Sequence, residues 1–180
     1  MTALESALRA MSAFLEKRQA PYMIIGGIAN LVWGVPRTTL DIDLTVWALG
    51  GEASLVKALA VAFKALPDDP KAFAAETRVL PLLVKGFRVD VIFGELPYER
   101  QAIARARPMD MGGFTVPVCA PEDLIVHKAL SERPKDLEDV RGIIRTRGRK
   151  LDRAYLDPLV RGLAEDLSRP RIWEFYLSCW

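Results

Sequence analysis

Asp41 and Asp43 stand one residue apart in "TLDIDLTVW", a segment that is otherwise largely apolar. Side chains alternate along a strand, so both carboxylates point to one face while Ile42, Leu44 and Val46 point to the other. Two carboxylates this close repel and raise each other's pKa unless a cation lies between them. Mg2+ typically takes one or two protein carboxylates and completes its shell with water and substrate phosphates. A third acid has the same character. Asp90 lies in "FRVDVIFG", an apolar strand in which an unpaired carboxylate would be costly to bury. If the two strands are neighbours, Asp41, Asp43 and Asp90 converge into the donor set of a two-metal site, with ions about 3.5–4 Å apart. The plain alternative makes Asp41 a strand-start cap and Asp43 a solvent-facing residue. Asp90, in a second apolar strand, favours metal, either Mg2+ or Mn2+.

The elements that must position these acids are legible from periodicity. Residues 2 to 18 place Leu4, Leu8, Met11, Phe14 and Leu15 on one helical face. A short buried strand follows at Tyr22 to Ile25, then a Gly26-Gly27 turn. A short helix runs from Ile28 to Trp33, ended by Gly34 and Pro36. Asp41 to Ala48 alternates as a strand, and a helix is expected from about 52 to 66. The segment 67 to 76 reads as a Pro/Asp-rich, then Ala-rich loop with at most one helical turn. Val79 to Val84 and Phe87 to Phe93 read as a hairpin around Lys85-Gly86. A short helix at 97 to 105 and a last strand at 114 to 118 complete the mixed part. From Pro121 the pattern is wholly helical, in segments of about 121–132, 135–147, 152–167 and 170–178. The expected organisation is an α+β core over residues 1–119 with a mixed, mostly antiparallel sheet flanked by helices. A helical region, 120–180, follows and packs on that core.

Bulk properties bound the function. The chain has 180 residues, 51% of them hydrophobic and 27% charged, enough for one substantial core. A net charge of +2 is too small to argue for a nucleic-acid partner by itself. Cys119 and Cys179 form no metal-ligand spacing and no disulfide framework, which points to a reducing cytoplasm. The longest apolar run is broken by Asn30, glycines and prolines, so no membrane span is expected.

A glycine pair between a strand and a helix lets backbone amides approach an anion, with the helix N-terminus adding positive potential. The combination "GGIANLVWGVPRTTLDID" resembles the signature of the DNA polymerase β-like nucleotidyltransferase superfamily. Its elements are the glycine turn at Gly26-Gly27, Asp41 with Asp43 on the next strand, and Asp90 on a later one. Ala29, Arg37 and Thr39, in "R-x-T-x-D-x-D", resemble the branch of AbiEii-type toxin nucleotidyltransferases. Many superfamily members carry Gly-Ser at the turn, where Gly27 stands here, which removes one phosphate contact. "PEDLIVHKALSERPKDLEDV" resembles that branch's downstream block. The resemblance implies nucleotide binding by Lys128, whose compact ammonium suits a triphosphate, and an active-site role for Asp136. Asp136 is alternatively a cap of the helix starting near Pro134, and Asp139 pairs with nearby arginines. Arg37 either contacts phosphate or orders its loop through an ion pair. Thr39 either hydrogen-bonds a metal-site carboxylate or simply favours the strand. His127 has no catalytic role.

The resemblance implies transfer of a nucleoside monophosphate from an NTP to a hydroxyl acceptor, with Mg2+ or Mn2+. The acceptor is RNA such as a tRNA end, a protein, or a small hydroxylated compound. A toxin of this kind would have an antitoxin partner and act as monomer or homodimer. Arg141, Arg145, Arg147, Arg149, Lys150 and Arg153 crowd one segment, suited to an RNA backbone or simply a solvated helix face. Trp173, Phe175, Tyr176 and Trp180 suit docking onto the core, or a dimer face. Two other readings compete. "DIDLTV" also matches D-x-D-x-T of haloacid-dehalogenase-like phosphatases, whose late acidic motif is replaced here by "KDLED" on a helix. A catalytically inactive nucleotidyltransferase-fold binding module is the other.

Overall fold

The computed structural model describes residues 2–48 and 50–180. The chain forms two compact units. The first holds residues up to Ile28 together with Thr38–Cys119, and the second holds Ala29–Arg37 with Ala120–Trp180.

The first unit is built on a seven-stranded sheet. Its strands are β1 (Tyr22–Ile24), β2 (Asp41–Val46), β3 (Lys64–Ala65), β4 (Val79–Val84), β5 (Phe87–Phe93), β6 (Arg107–Asp110) and β7 (Thr115–Val118), in spatial order β3-β4-β5-β2-β1-β7-β6. The β2–β5 and β1–β7 pairs are parallel and the others antiparallel. This is the expected mixed, mostly antiparallel sheet. Alternation sorts the central strands. Leu80, Leu82 and Val84 of β4, Val89, Val91 and Phe93 of β5, and Ile42, Leu44 and Val46 of β2 are all buried. Helix α1 (Ala3–Lys17) packs on β4 and β5 and buries Leu8, Met11 and Leu15. It begins with a capping box in which the Thr2 hydroxyl accepts from the Glu5 amide and the Glu5 carboxylate accepts from the Thr2 amide.

The β4–β5 hairpin turns on Lys85 and Gly86, with φ of 50° and 86°. Two positive φ values in a two-residue loop match the right-handed twist of the flanking strands. The structure departs from the expected elements in several places. The expected loop at 67–76 holds a helix, Pro70–Thr77, because Asp69 caps it by accepting from the Lys71 and Ala72 amides and Pro70 takes the first helical position. The helix expected to reach residue 66 spans Glu52–Ala62, and Lys64 and Ala65 pair instead with Leu83 and Leu82. Strand β6 was not anticipated. Its "RPMD" lacks alternation, and its proline is tolerated because β6 lies at a sheet edge.

The second unit is helical. Helices Pro121–Ser131, Pro134–Arg147, Arg153–Asp166 and Pro170–Ser178 surround a core of Leu124, Val140, Ile143, Leu156, Val160, Ile172 and Tyr176. Residues 29–37 belong to it. Arg147 donates to the carbonyls of Val32 and Trp33 and lies over the Trp33 ring, closing carbonyls that a helix end leaves open. Tyr176 is buried within this unit, stacked on Trp173 and edge-on to Trp180. Among the described residues no helix is long and apolar enough to cross a membrane.

Candidate active site

Parallel pairing of β2 with β5 puts Asp41 opposite Arg88 and Asp43 opposite Asp90. Register partners share a face of the sheet, so three carboxylates and one guanidinium stand together on the side away from Ile42, Leu44, Val89 and Val91. All three acids are half-buried. Thr39 donates from Oγ1 to Asp41 Oδ1 at 3.1 Å, fixing that carboxylate. Of the two readings of Thr39, the hydrogen bond is the one present.

The glycines are close-approach residues. Gly26 has a φ of 62°, and a Cβ there would lie 2.0 Å from Asp43 Oδ2. At Gly27 a Cβ would lie 2.3 Å from Thr39 Oγ1. Rather than forming a separate turn, the pair opens a helix, Gly26–Trp33. The glycine at 27 thus has a local reason, because the Thr39 hydroxyl occupies the space a serine side chain would need.

Arg88 is the group the sequence reading passed over. Its Nε donates to both Asp90 oxygens at 3.0 Å. Its side chain is 56% exposed and that of Asp90 18%. The Asp90 hydrogen bond, and then the Asp90 charge, raise the guanidinium above its ordinary pKa, with Asp41 and Asp43 adding to the effect. The hint in the sequence was a cation two residues before Asp90, hence on the same strand face.

The second unit collects the remaining candidates. Lys128 is 4% exposed, and its Nζ donates to Asp136 Oδ1 at 2.9 Å and Asp139 Oδ2 at 2.7 Å. Arg37 forks onto Asp139, with Nε at 2.9 Å from Oδ1 and Nη2 at 2.7 Å from Oδ2. Asp136 also accepts from the Ser131 hydroxyl and from Arg133. Burial alone would raise both aspartates. Hydrogen bonds from Lys128 and Ser131 on Asp136, and from Arg37 and Lys128 on Asp139, outweigh it and hold both below the ordinary carboxylate value. Asp136 makes no side-chain cap of its helix, so that alternative is corrected. Arg37 is in an ion pair, and Lys128 is a buried counter-ion here. Asp136 and Asp139, two of the three acids of "KDLED", are spent on cations, which leaves the phosphatase alternative without its second acidic motif.

Among the described residues, no three carboxylate, imidazole or thiol groups are arranged to hold a metal ion as they stand. Asp90 is paired with Arg88 as the structure stands. The pair Asp41 and Asp43, with oxygen donors beside glycines that admit no side chain, does fit a hard divalent cation carrying substrate phosphates.

Several solved structures share this fold. ANT(2'')-Ia in complex with adenylyl-2''-tobramycin aligns with a TM-score of 0.56 at 20% identity, covering 83% of this chain and 92% of that one. An antigenic nucleotidyltransferase-like protein from Paracoccidioides brasiliensis aligns at 0.56 and 18%, covering 97% and 91%. The lincosamide adenylyltransferase LnuA, bound to lincomycin, aligns at 0.53 and 13%, covering 79% and 96%. The fold is that of a nucleotidyltransferase. In sequence, residues 90–168 match a family described as nucleotidyl transferases of unknown function, a stretch that begins at Asp90. No curated protein matches the sequence. The AbiEii branch is not among these likenesses, and identities this low establish the nucleotidyltransferase fold and nothing finer.

Proposed function

We propose that this chain transfers a nucleoside monophosphate from an NTP to a hydroxyl group of a small molecule. The observation that carries the reading is the Asp41–Asp43 face set against Gly26 and Gly27 on a nucleotidyltransferase fold. Asp41 and Asp43 would hold Mg2+ or Mn2+, which supplies charge neutralisation at the phosphates. Thr39 keeps the Asp41 carboxylate oriented. The missing side chains at Gly26 and Gly27 let Asp43 and Thr39 pack directly against the backbone, which holds the Asp41–Asp43 face beside the start of that helix. The acceptor hydroxyl oxygen bonds to the α-phosphorus, the bond to the bridging oxygen breaks, and pyrophosphate leaves with the electron pair. The hydroxyl proton passes to solvent. Catalysis is then mostly positioning and electrostatic stabilisation.

A small acceptor is favoured over RNA by the fate of the basic cluster. Arg141 pairs with Glu138 and lies over Phe175, Arg147 closes a helix end, and Arg153 pairs with Asp157. Three of the six cations are thereby committed within the chain. One aligned structure is described as a lincosamide antibiotic adenylyltransferase and another holds adenylyl-2''-tobramycin, which makes hydroxylated antibiotics the first acceptors to try. Lys128, Asp136 and Arg37 enter this proposal as a structural ion network. The toxin reading, with its antitoxin partner and tRNA acceptor, rests on the sequence blocks alone.

The test incubates the protein with each labelled NTP, Mg2+, and aminoglycosides, lincosamides, total tRNA or bulk protein. An Asp41→Asn/Asp43→Asn variant serves as control. Label on a small hydroxylated acceptor, lost in the variant, is the expected result. Label on tRNA instead would move the acceptor to RNA. No transfer to any acceptor, with no Mg2+-dependent NTP binding, overturns the proposal.

A further inference from the structure

The carboxylate face carries three negative charges and one positive group, and that group is part of the protein. Arg88 stands opposite Asp41 in register, shares the face of Asp43 and Asp90, and forks both Asp90 oxygens from one Nε at 3.0 Å. Its neighbours along the same face of β5 are Asp90 and Ile92, and across β4 they are Leu83 and Pro81, none of them cationic. Arg88 is more than half exposed, so no packing holds its guanidinium to one rotamer. An exposed ion pair of this kind is weak and exchanges readily for a stronger partner. A divalent cation is a stronger partner for Asp90, and a triphosphate oxygen is a stronger one for a guanidinium, which matches phosphate geometry.

We propose that Arg88 is the built-in counter-cation of this face. It holds Asp90 in the metal-free protein, and when a divalent cation binds it releases Asp90 and turns to an anionic oxygen of the bound nucleoside triphosphate. The inference rests on the nucleotidyltransferase reading of the Asp41–Asp43 face. It makes Arg88 a nucleotide-binding residue and gives the Arg88–Asp90 pair a role in the cycle of binding.

Two effects of opposite sign follow from removing the Arg88 charge. Mn2+ binding without nucleotide, followed by the paramagnetic resonance of free Mn2+, tightens at least tenfold in Arg88→Gln. ATP binding at saturating Mg2+ weakens at least fivefold in the same variant. Arg88→Lys, which keeps the charge, stays within about threefold of the wild type in the Mn2+ measurement. A salt bridge that is only structural would move neither quantity, or both in the same direction. Should Arg88→Gln fold poorly, the wild type suffices, because its Arg88 Nε–H resonance shifts as Mg2+ is titrated. Equal Mn2+ affinity in wild type and Arg88→Gln, or an unmoved resonance at saturating Mg2+, overturns the Arg88 role alone. Failure of the wild type to bind Mn2+ with or without ATP overturns the metal reading of Asp41 and Asp43 together with it.

Discussion

Gly27 and Thr39 illustrate how one side chain sets the identity of another. The backbone at Gly27 is not left-handed, so the objection to a larger residue is steric and not conformational. A Cβ at 2.3 Å from Thr39 Oγ1 forces that hydroxyl off Asp41. Gly27→Ala should therefore destabilise the protein by about 1–3 kcal/mol, the usual range for overpacking. Thr39→Ala removes one hydrogen bond and costs about 1 kcal/mol. The double variant should be more stable than the sum of the two single losses, because alanine at 39 vacates the space that alanine at 27 needs. Urea unfolding of the four proteins measures the cycle, and strict additivity would refute the steric account.

At the scale of elements, the helices Pro121–Ser131 and Pro134–Arg147 are joined by a buried ion network. Lys128 sits between Asp136 and Asp139, which are 2% and 7% exposed. Removing one partner of such a network leaves a buried charge without compensation, at about 3–5 kcal/mol. Lys128→Met should lose roughly that much stability. The pH dependence has a definite sign. Both aspartates have folded pKa values below their unfolded value of 3.8, so their contribution is fully present above that value. It is lost as pH falls through the folded values. The urea midpoint of the wild type should thus hold from neutrality to about pH 4 and drop below it. In Lys128→Met the drop should begin at higher pH, since the lysine no longer holds the two carboxyls down. An unchanged acid limb in that variant would show that Lys128 does not set their protonation.

For the molecule as a whole, ligand linkage is the broadest check. A ligand that binds only the folded state at a hundred times its dissociation constant adds about 2.7 kcal/mol. For a chain of this length that is a rise in Tm of about 5–10 °C. ATP with Mg2+ should produce it in the wild type and not in Asp41→Asn/Asp43→Asn. Because the chain has two compact units, the shift should be read on the transition that responds to ligand, without assuming one two-state unfolding.

Much of the sheet and the three acids could be read from the sequence because their cause is local. Alternation with period two places Asp41 with Asp43 and away from Ile42 and Leu44, whatever else the chain does. The Lys85-Gly86 turn, the apolar face of α1 and the helical run after Pro121 are equally short-range. The helix at Pro70 is also written locally, in the Asp69-Pro70 cap, although its Asp/Pro content equally suits a loop. What tertiary structure alone decided is which distant residues meet. Parallel pairing of β2 with β5 brings Asp43 beside Asp90 and at the same stroke delivers Arg88 to that face. Arg37 meets Asp139 across 102 residues of sequence, and residues 29–37 join the C-terminal helices. Charges choose partners by distance in space, so a lysine and three aspartates that look like ligands in the sequence acquire their partners only when the chain is folded.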